Sequence, residues 1–446
     1  MYIKTTILLL LLVSSASFAN NELQAIRDEI ANMKKHHETK IANLEMRLQT
    51  AELAIKQQKE QNSQVNSKEF ATSEPAINSN PNAFNPAISL IFDGRYVDYT
   101  NKQDNLSFPG FVLGAETGPE TEGFNLGETE LTLSANIDDK FYAQATIAFA
   151  NDAGETEVEV EELYVQTLAL NNGLTLKGGR YFSALGYLNE QHAHAWDFAD
   201  APLVYQAMLG GQLKNDGLQL SVVLPTDFYL QAGLELGNAQ NFPSSGIHNG
   251  FGSQTAFLST GGDIGYNHSW QLGLSYWRAS VKQRAGLDEN PAFSYTGNSN
   301  IKALDFVYKW APNGNNKQQN IKFQFEYFDR NEDGVLGDIE TSEVNYDGSQ
   351  TGWYGEIAWL FKPTWRTAIR YDRIDANNKS FNQQRLEAAG LLSDTEQTRA
   401  SIMFEWLPSE FSRLRVQYND EIDAFNAAQW FFQYTYSMGS HGGHQF

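Results

Sequence analysis

Ile321-Lys322-Phe323-Gln324-Phe325-Glu326-Tyr327 puts an apolar side chain at every second position, and Ser401-Ile402-Met403-Phe404-Glu405-Trp406 repeats the period. A period of two is that of a β-strand with one greasy face and one wet face. From about residue 88 to Phe446 the chain is a succession of such segments, preceded by a secretory signal and a helical stretch. A soluble sandwich also alternates, but not behind that N-terminus. A sheet in lipid must close on itself, because an unpaired edge leaves amide groups without partners. The expected fold is therefore all-β: a 16-stranded antiparallel transmembrane β-barrel, of the Gram-negative outer-membrane type, preceded by an α-helical coiled coil.

The strands are expected near 88–99, 122–136, 140–151, 156–170, 174–184, 217–225, 228–238, 258–267, 269–280, 300–312, 319–331, 351–362, 364–375, 396–407, 411–421 and 427–438. The connectors alternate in length. Tight turns at Asp138-Asp139, Asn171-Asn172-Gly173, Pro225-Thr226-Asp227, Asn267-His268-Ser269, Lys362-Pro363-Thr364 and Pro408-Ser409-Glu410 alternate with long loops near 100–121, 185–216, 239–257, 281–299, 332–350 and 376–395. Short turns inside and long loops outside are the asymmetry of outer-membrane barrels. The count of sixteen holds if 185–216 is one loop; a hairpin within it gives eighteen.

Residues 1–19 read as a signal peptide, with Lys4, an apolar core from Ile7 to Val13 and Ser17-Phe18-Ala19 before the cleavage site. Residues 20–64 read as a periplasmic coiled coil, its seam running through Leu23, Ile26, Ile30 and Met33, then Ile41, Leu44, Leu48, Ala51 and Ile55. A lone amphipathic helix of that length calls for self-association. Residues 65–87 are a flexible linker rich in Ser, Asn, Pro and Ala, and residues 88–446 form the barrel.

There is no cysteine, so the fold uses no disulfide on its way through an oxidising compartment. Aromatic residues at 13% match the girdles of a barrel. The net charge of −22 excludes nucleic acid as a natural partner and suits a surface that meets divalent cations and lipopolysaccharide.

Where one face of a strand is apolar, the other is lumen. Arg366, Arg370 and Asp372 are expected inside on one strand, Arg413 and Arg415 on another, and Glu128, Glu130 and Glu162 on an opposing wall. Such rows set a transverse field across the pore; alternatively they pair and brace the wall. The loop 185–216 carries few charges but holds Tyr187, His192, His194, Trp196, Asp197 and Phe198, so it is expected to fold inward as a constriction. His192 and His194 with Asp197 offer ligands to a divalent metal, or they hydrogen-bond within a packed loop.

Two further patterns suggest ions. Residues 329–340 match D-x-[DN]-x-[DN]-G-x5-E, which gives possible Ca2+ ligands at Asp329, Asn331, Asp333 and Glu340 around a turn at Gly334; no other cofactor is expected. In the tail, His441 and His444 provide two imidazoles, and Phe446 is the expected signal to the barrel-assembly machinery. No G-x-S-x-G occurs and histidines are few, so the chain does not read as an enzyme.

The string Gly-Arg-Tyr-Phe-Ser-Ala-Leu-Gly-Tyr-Leu-Asn-Glu-Gln-His-Ala-His-Ala-Trp-Asp-Phe (179–198) resembles the corresponding region of the LbtU-family siderophore porins, which in turn resemble the phosphate-selective porins in placing a coiled coil before the barrel. That resemblance implies a sixteen-stranded, trimeric porin for passive, TonB-independent uptake of a ferric siderophore. An anion- or phosphate-type porin, a general diffusion porin and, further off, a zinc-related channel are the alternatives.

Cross-linking of the detergent-extracted protein is expected to give a defined oligomer, a trimer, that weakens when residues 20–64 are deleted. A monomer at all concentrations contradicts this.

Overall fold

Alternation alone leaves two free edges; what removes them is pairing between the first strand and the last. In the computed structural model, Ala87–Tyr99 runs antiparallel to Ala428–Gly439 from Ser89↔Gly439 to Tyr99↔Gln429. The described residues are 34 and 86–439, less 101–106, 115–116, 118–119, 153–154, 286–293, 338–342, 394 and 422–427. The chain divides into two units, Met1–Pro81 and Asn82–Phe446. Apart from Lys34, which is helical, the signal peptide, coiled coil and nearly all of the linker lie outside the described residues, as do Glu340, His441, His444 and Phe446.

The second unit is one closed antiparallel sheet. Its staves are β1 (Ala87–Tyr99), β2 (Gly123–Leu126 with Thr129–Asn136), β3 (Phe141–Asp152), β4 (Glu155–Thr167), β5 (Leu174–Phe182), β6 (Lys214–Val223), β7 (Tyr229–Gly237) and β8 (Ser253–Ile264). The others are β9 (His268–Ala285), β10 (Ser294–Trp310), β11 (Asn320–Gly337), β12 (Val344–Lys362), β13 (Trp365–Ala376), β14 (Gln397–Ser409), β15 (Ser412–Glu421) and β16 (Ala428–Gly439). Eighteen hydrogen-bonded segments thus make sixteen staves: both pieces of β2 pair with β1, and Lys379–Ser380 is a stub beside β12. Residues 183–213 contribute no stave, so the sixteen-strand expectation holds. No helix among the described residues is long and apolar enough to cross a membrane.

The outer face is apolar where the period says it should be. Leu163, Leu234, Ile369, Ile402 and Val416 are exposed. Near the short turns an aromatic cluster runs Trp359, Phe361, Trp365, Phe404 and Trp406. Trp353 packs on Tyr371 higher up. From Trp365 to Tyr371 the strand climbs roughly 20 Å at ~3.3 Å per residue, close to the ~25 Å apolar band of such barrels.

The strands β8 to β12 reach further from the turn side than expected, into the predicted loops 239–257, 281–299 and 332–350. Above the bilayer both faces meet water, so the period disappears although the ladder continues. The calcium pattern falls partly in this region, and its closing residue Glu340 is outside the described residues. Asp329, Asn331 and Asp333 lie in β11 on its outward side, Asp329 accepting from the Asn331 amide at 2.9 Å. Gly334, where the pattern needs a sharp turn, is paired on both sides within the sheet.

Ile402 sits between Ile369 and Tyr418 on the lipid face. Replacing it with Arg is expected to destabilise the barrel by ~2–4 kcal/mol if it lies near the midplane, read by urea unfolding in vesicles. A variant as stable as the parent would remove Ile402 from the lipid face.

Candidate functional site: a loop held across the lumen

A loop carried into a barrel brings backbone amides and carbonyls with it, and these need partners that water no longer supplies. Residues 183–213 meet this demand in two ways. The apolar side chains Leu185, Leu188, Leu203, Val204, Met208 and Leu209 bury against inward residues of the wall, among them Trp277, Ile301, Phe328 and Ile374. Phe198 packs on Ala358, Ala368 and Met403, and Ala199 on Val97 and Phe431. These partners come from well-separated staves, so the loop crosses the lumen.

The polar groups are taken up by charged and amide side chains of the wall. Glu326 accepts from the Tyr187 and Leu188 amides at 2.9 and 3.0 Å and from the Tyr205 and Tyr354 hydroxyls. Glu235 accepts from the Ser183 hydroxyl and the Ala184 amide. Gln417 takes the Ala199 amide at 2.7 Å. Arg370, Arg399 and Arg415 donate to the carbonyls of Asp200, Ala201 and Trp196, and Arg413 to that of His194. The helix Leu203–Leu209 is served at both ends: Asp372 accepts from the Leu203 amide and Arg330 donates to the Met208 carbonyl. A carboxylate at the N-terminus and a cation at the C-terminus also suit the helix dipole.

The loop's own charges match the wall that each faces. Asp197 lies 2.6 Å from Lys322 and 2.7 Å from Arg366, and Asp200 lies 2.9 Å from Arg370 and 3.0 Å from Arg399. Burial opposes charge on Asp197, but Lys322 and Arg366 outweigh it and hold the carboxyl well below the usual carboxylate range. The same contest at Asp200, won by Arg370 and Arg399, brings it down to about 2. On the opposite side, His192 and His194 meet Glu130, Glu161 and Glu162.

Arg370, Arg413, Arg415, Glu130 and Glu162 are thus buried inside the wall, Arg366 points inward to Asp197 of the loop, and Glu128 lies at the break in β2. They do not stand as open rows facing water. Arg370 and Arg415 are 3% and 1% exposed and clamp the loop; Glu405 binds Arg366 at 2.8 Å and Arg415 at 3.0 Å along the wall. The pairs along the wall and to the loop are those of the bracing alternative. Asp197 is not beside His192 and His194, which corrects that expected ligand set: it is drawn to the basic wall.

A second inward segment was missed. Phe108, Phe111 and Leu113 join the same apolar cluster, and the Gly110 carbonyl accepts from Gln350 and Asn378. Its signal was present in Phe108-Pro-Gly-Phe-Val-Leu (108–113), too apolar for an exposed tip.

On the turn side of the loop lies a cavity of about 540 Å³. Lys309, Lys317, Lys322, Arg366 and Arg413 line it against three carboxylates, Asp197, Glu405 and Glu410, with Tyr187 and Gln191 contributed by the loop.

No family model matches the chain. An uncharacterized protein of Aquifex aeolicus (strain VF5) is 33% identical over 395 residues, 82% of this chain and 80% of its own, and this chain belongs to the same family. Among solved structures, the outer membrane channel DcaP of Acinetobacter baumannii aligns with 79% of this chain and 96% of its own at a TM-score of 0.51 and 12% identity, which shows a shared fold. The outer membrane protein OmpT of Vibrio cholerae, in its trimer form, aligns over 79% and 99% at 0.49 and 10%.

Glu326→Gln keeps the shape but removes the charge that receives four donors. With hydrogen bonds to charged groups worth ~1.5–3 kcal/mol each, amide exchange at Tyr187 and Leu188 is expected to quicken about ten-fold or more while that of β11 is unchanged. Unchanged exchange at both amides would show that Glu326 does not hold the loop.

Proposed function

We propose that this chain is an outer-membrane channel through which a small anionic solute passes without energy coupling, with a ferric siderophore as cargo. The observation that carries the reading is the charge of the cavity below the loop. A chain of net charge −22 there sets five cationic side chains against three carboxylates. Field lines in a low-dielectric channel concentrate at such a patch and raise the local concentration of the opposite charge. The siderophore rests on the resemblance of residues 179–198 to the LbtU-family porins; phosphate or another small anion is the second reading and is favoured by the same charges. A homotrimer tied by a periplasmic coiled coil, with lipopolysaccharide around it, completes the proposal. Calcium at the outward acidic side chains of β11 has no support from a turn at Gly334, and Phe446 as an assembly signal rests on the sequence alone.

Planar-bilayer recordings under a salt gradient are expected to show anion preference, and Lys322→Gln with Arg366→Gln to move the reversal potential toward cations. Deleting residues 189–198 is expected to raise conductance while the barrel still assembles, because its ladder closes without the loop. A ferric siderophore is expected to enter proteoliposomes faster than a neutral sugar of equal size. Absence of conductance sinks the channel; anion conductance without siderophore entry leaves the channel and rejects the cargo.

A further inference from the structure

The acidic side of the lumen differs in kind from the basic side. There the wall offers carboxylates in excess. Glu130 comes from β2 and Glu162 from β4, both expected from alternation. Glu161 joins them through a β-bulge: Thr146 pairs with Glu162 but Ile147 pairs with Val160, which leaves Glu161 as the extra residue. Two successive glutamates therefore turn inward while Val160 and Leu163 face out. Bulges commonly re-aim side chains in this way beside functional sites.

Onto these carboxylates the loop lowers two imidazoles. His192 Nδ1 lies 3.1 Å from Glu130 and 3.4 Å from Glu161, and its Nε2 3.0 Å from Glu162; His194 Nδ1 lies 2.5 Å from Glu130. The two rings stack at 5.6 Å with their planes 20° apart. Glu130 and Glu161 are each 1% exposed. Glu161 Oε2 has no hydrogen-bond partner although it is buried and aimed at His192. Donor atoms of Glu130, His192 and His194 all lie within 4.8 Å of one another. Ligands of one tetrahedral ion, bonded at ~2.0–2.2 Å, stand roughly 3.4 Å apart, so small side-chain rotations close the set.

We propose that His192, His194 and Glu130, with Glu161 as a further donor, bind one divalent transition-metal ion that fastens the loop to the acidic wall. Two imidazoles with carboxylates and no thiolate suit zinc and its first-row neighbours, whereas calcium and magnesium prefer all-oxygen shells. The ion ties residues of the loop to β2 and β4, as Arg370 and Arg415 tie it to β13 and β15. The site is independent of the solute carried.

The test uses the full chain, refolded and stripped with EDTA, in a His441→Ala/His444→Ala background so that the tail binds nothing. Zinc titrated against a chromophoric chelator is expected to fill one site per chain at micromolar concentration or below. His192→Ala with His194→Ala is expected to weaken it by about 100-fold or more, and Glu161→Gln by about 10-fold. Heat-modified gel migration reports that each barrel has assembled. A folded parent that takes up no zinc at micromolar concentration, or affinity kept in the double-histidine variant, overturns the site and leaves plain ion pairs. Should the double variant fail to assemble, Glu161→Gln decides: unchanged affinity overturns the proposal.

Discussion

The structure depends on satisfying the polar groups of a loop that has left water for the inside of a barrel. Each amide or carbonyl buried without a partner costs about 1–3 kcal/mol, so residues 183–213 can cross the lumen only where the wall answers them. Glu326, Glu235, Gln417, Asp372 and the arginines of β13 to β15 supply that answer. The loop in turn sorts its charges, with His192 and His194 toward the glutamates and Asp197 and Asp200 toward Lys322, Arg366, Arg370 and Arg399. The opposed charge of the two walls therefore positions the constriction, and the constriction in turn leaves the cationic cavity on the turn side.

Much of this was legible in the sequence because lipid leaves the outer face little choice. Ile369 and Ile402 must face out, and Arg370, next to Ile369 in sequence, must then face in. Alternating connector lengths gave the strand count. What stayed hidden was whatever breaks the period or leaves the bilayer. Glu161 turns inward only through a bulge, which inserts one residue and shifts the alternation by one. Strands β9 to β12 continue where both faces are wet, so Asp329 to Asp333 looked like an ion-binding loop and is strand. Trp277, Ile301 and Phe328 point into a lumen expected to be polar, because the loop's apolar side meets them there.

The partners of individual charges could not be read from spacing at all. Asp197 is five residues from His192, near enough to suggest a shared ligand set, yet it belongs to Lys322 and Arg366. Chain proximity says little once a loop spans a lumen, because residues a few positions apart reach opposite walls.

The central claim is that the loop lies inside the barrel. The chain has no cysteine, so spin labels at Gln191→Cys and Ser409→Cys report without background. Both residues line the cavity on the turn side. Dipolar spectroscopy of the doubly labelled protein in lipid is predicted to give one distance, shorter than the ~25 Å apolar band is tall. A distance longer than that band would put the loop outside the membrane and contradict the account.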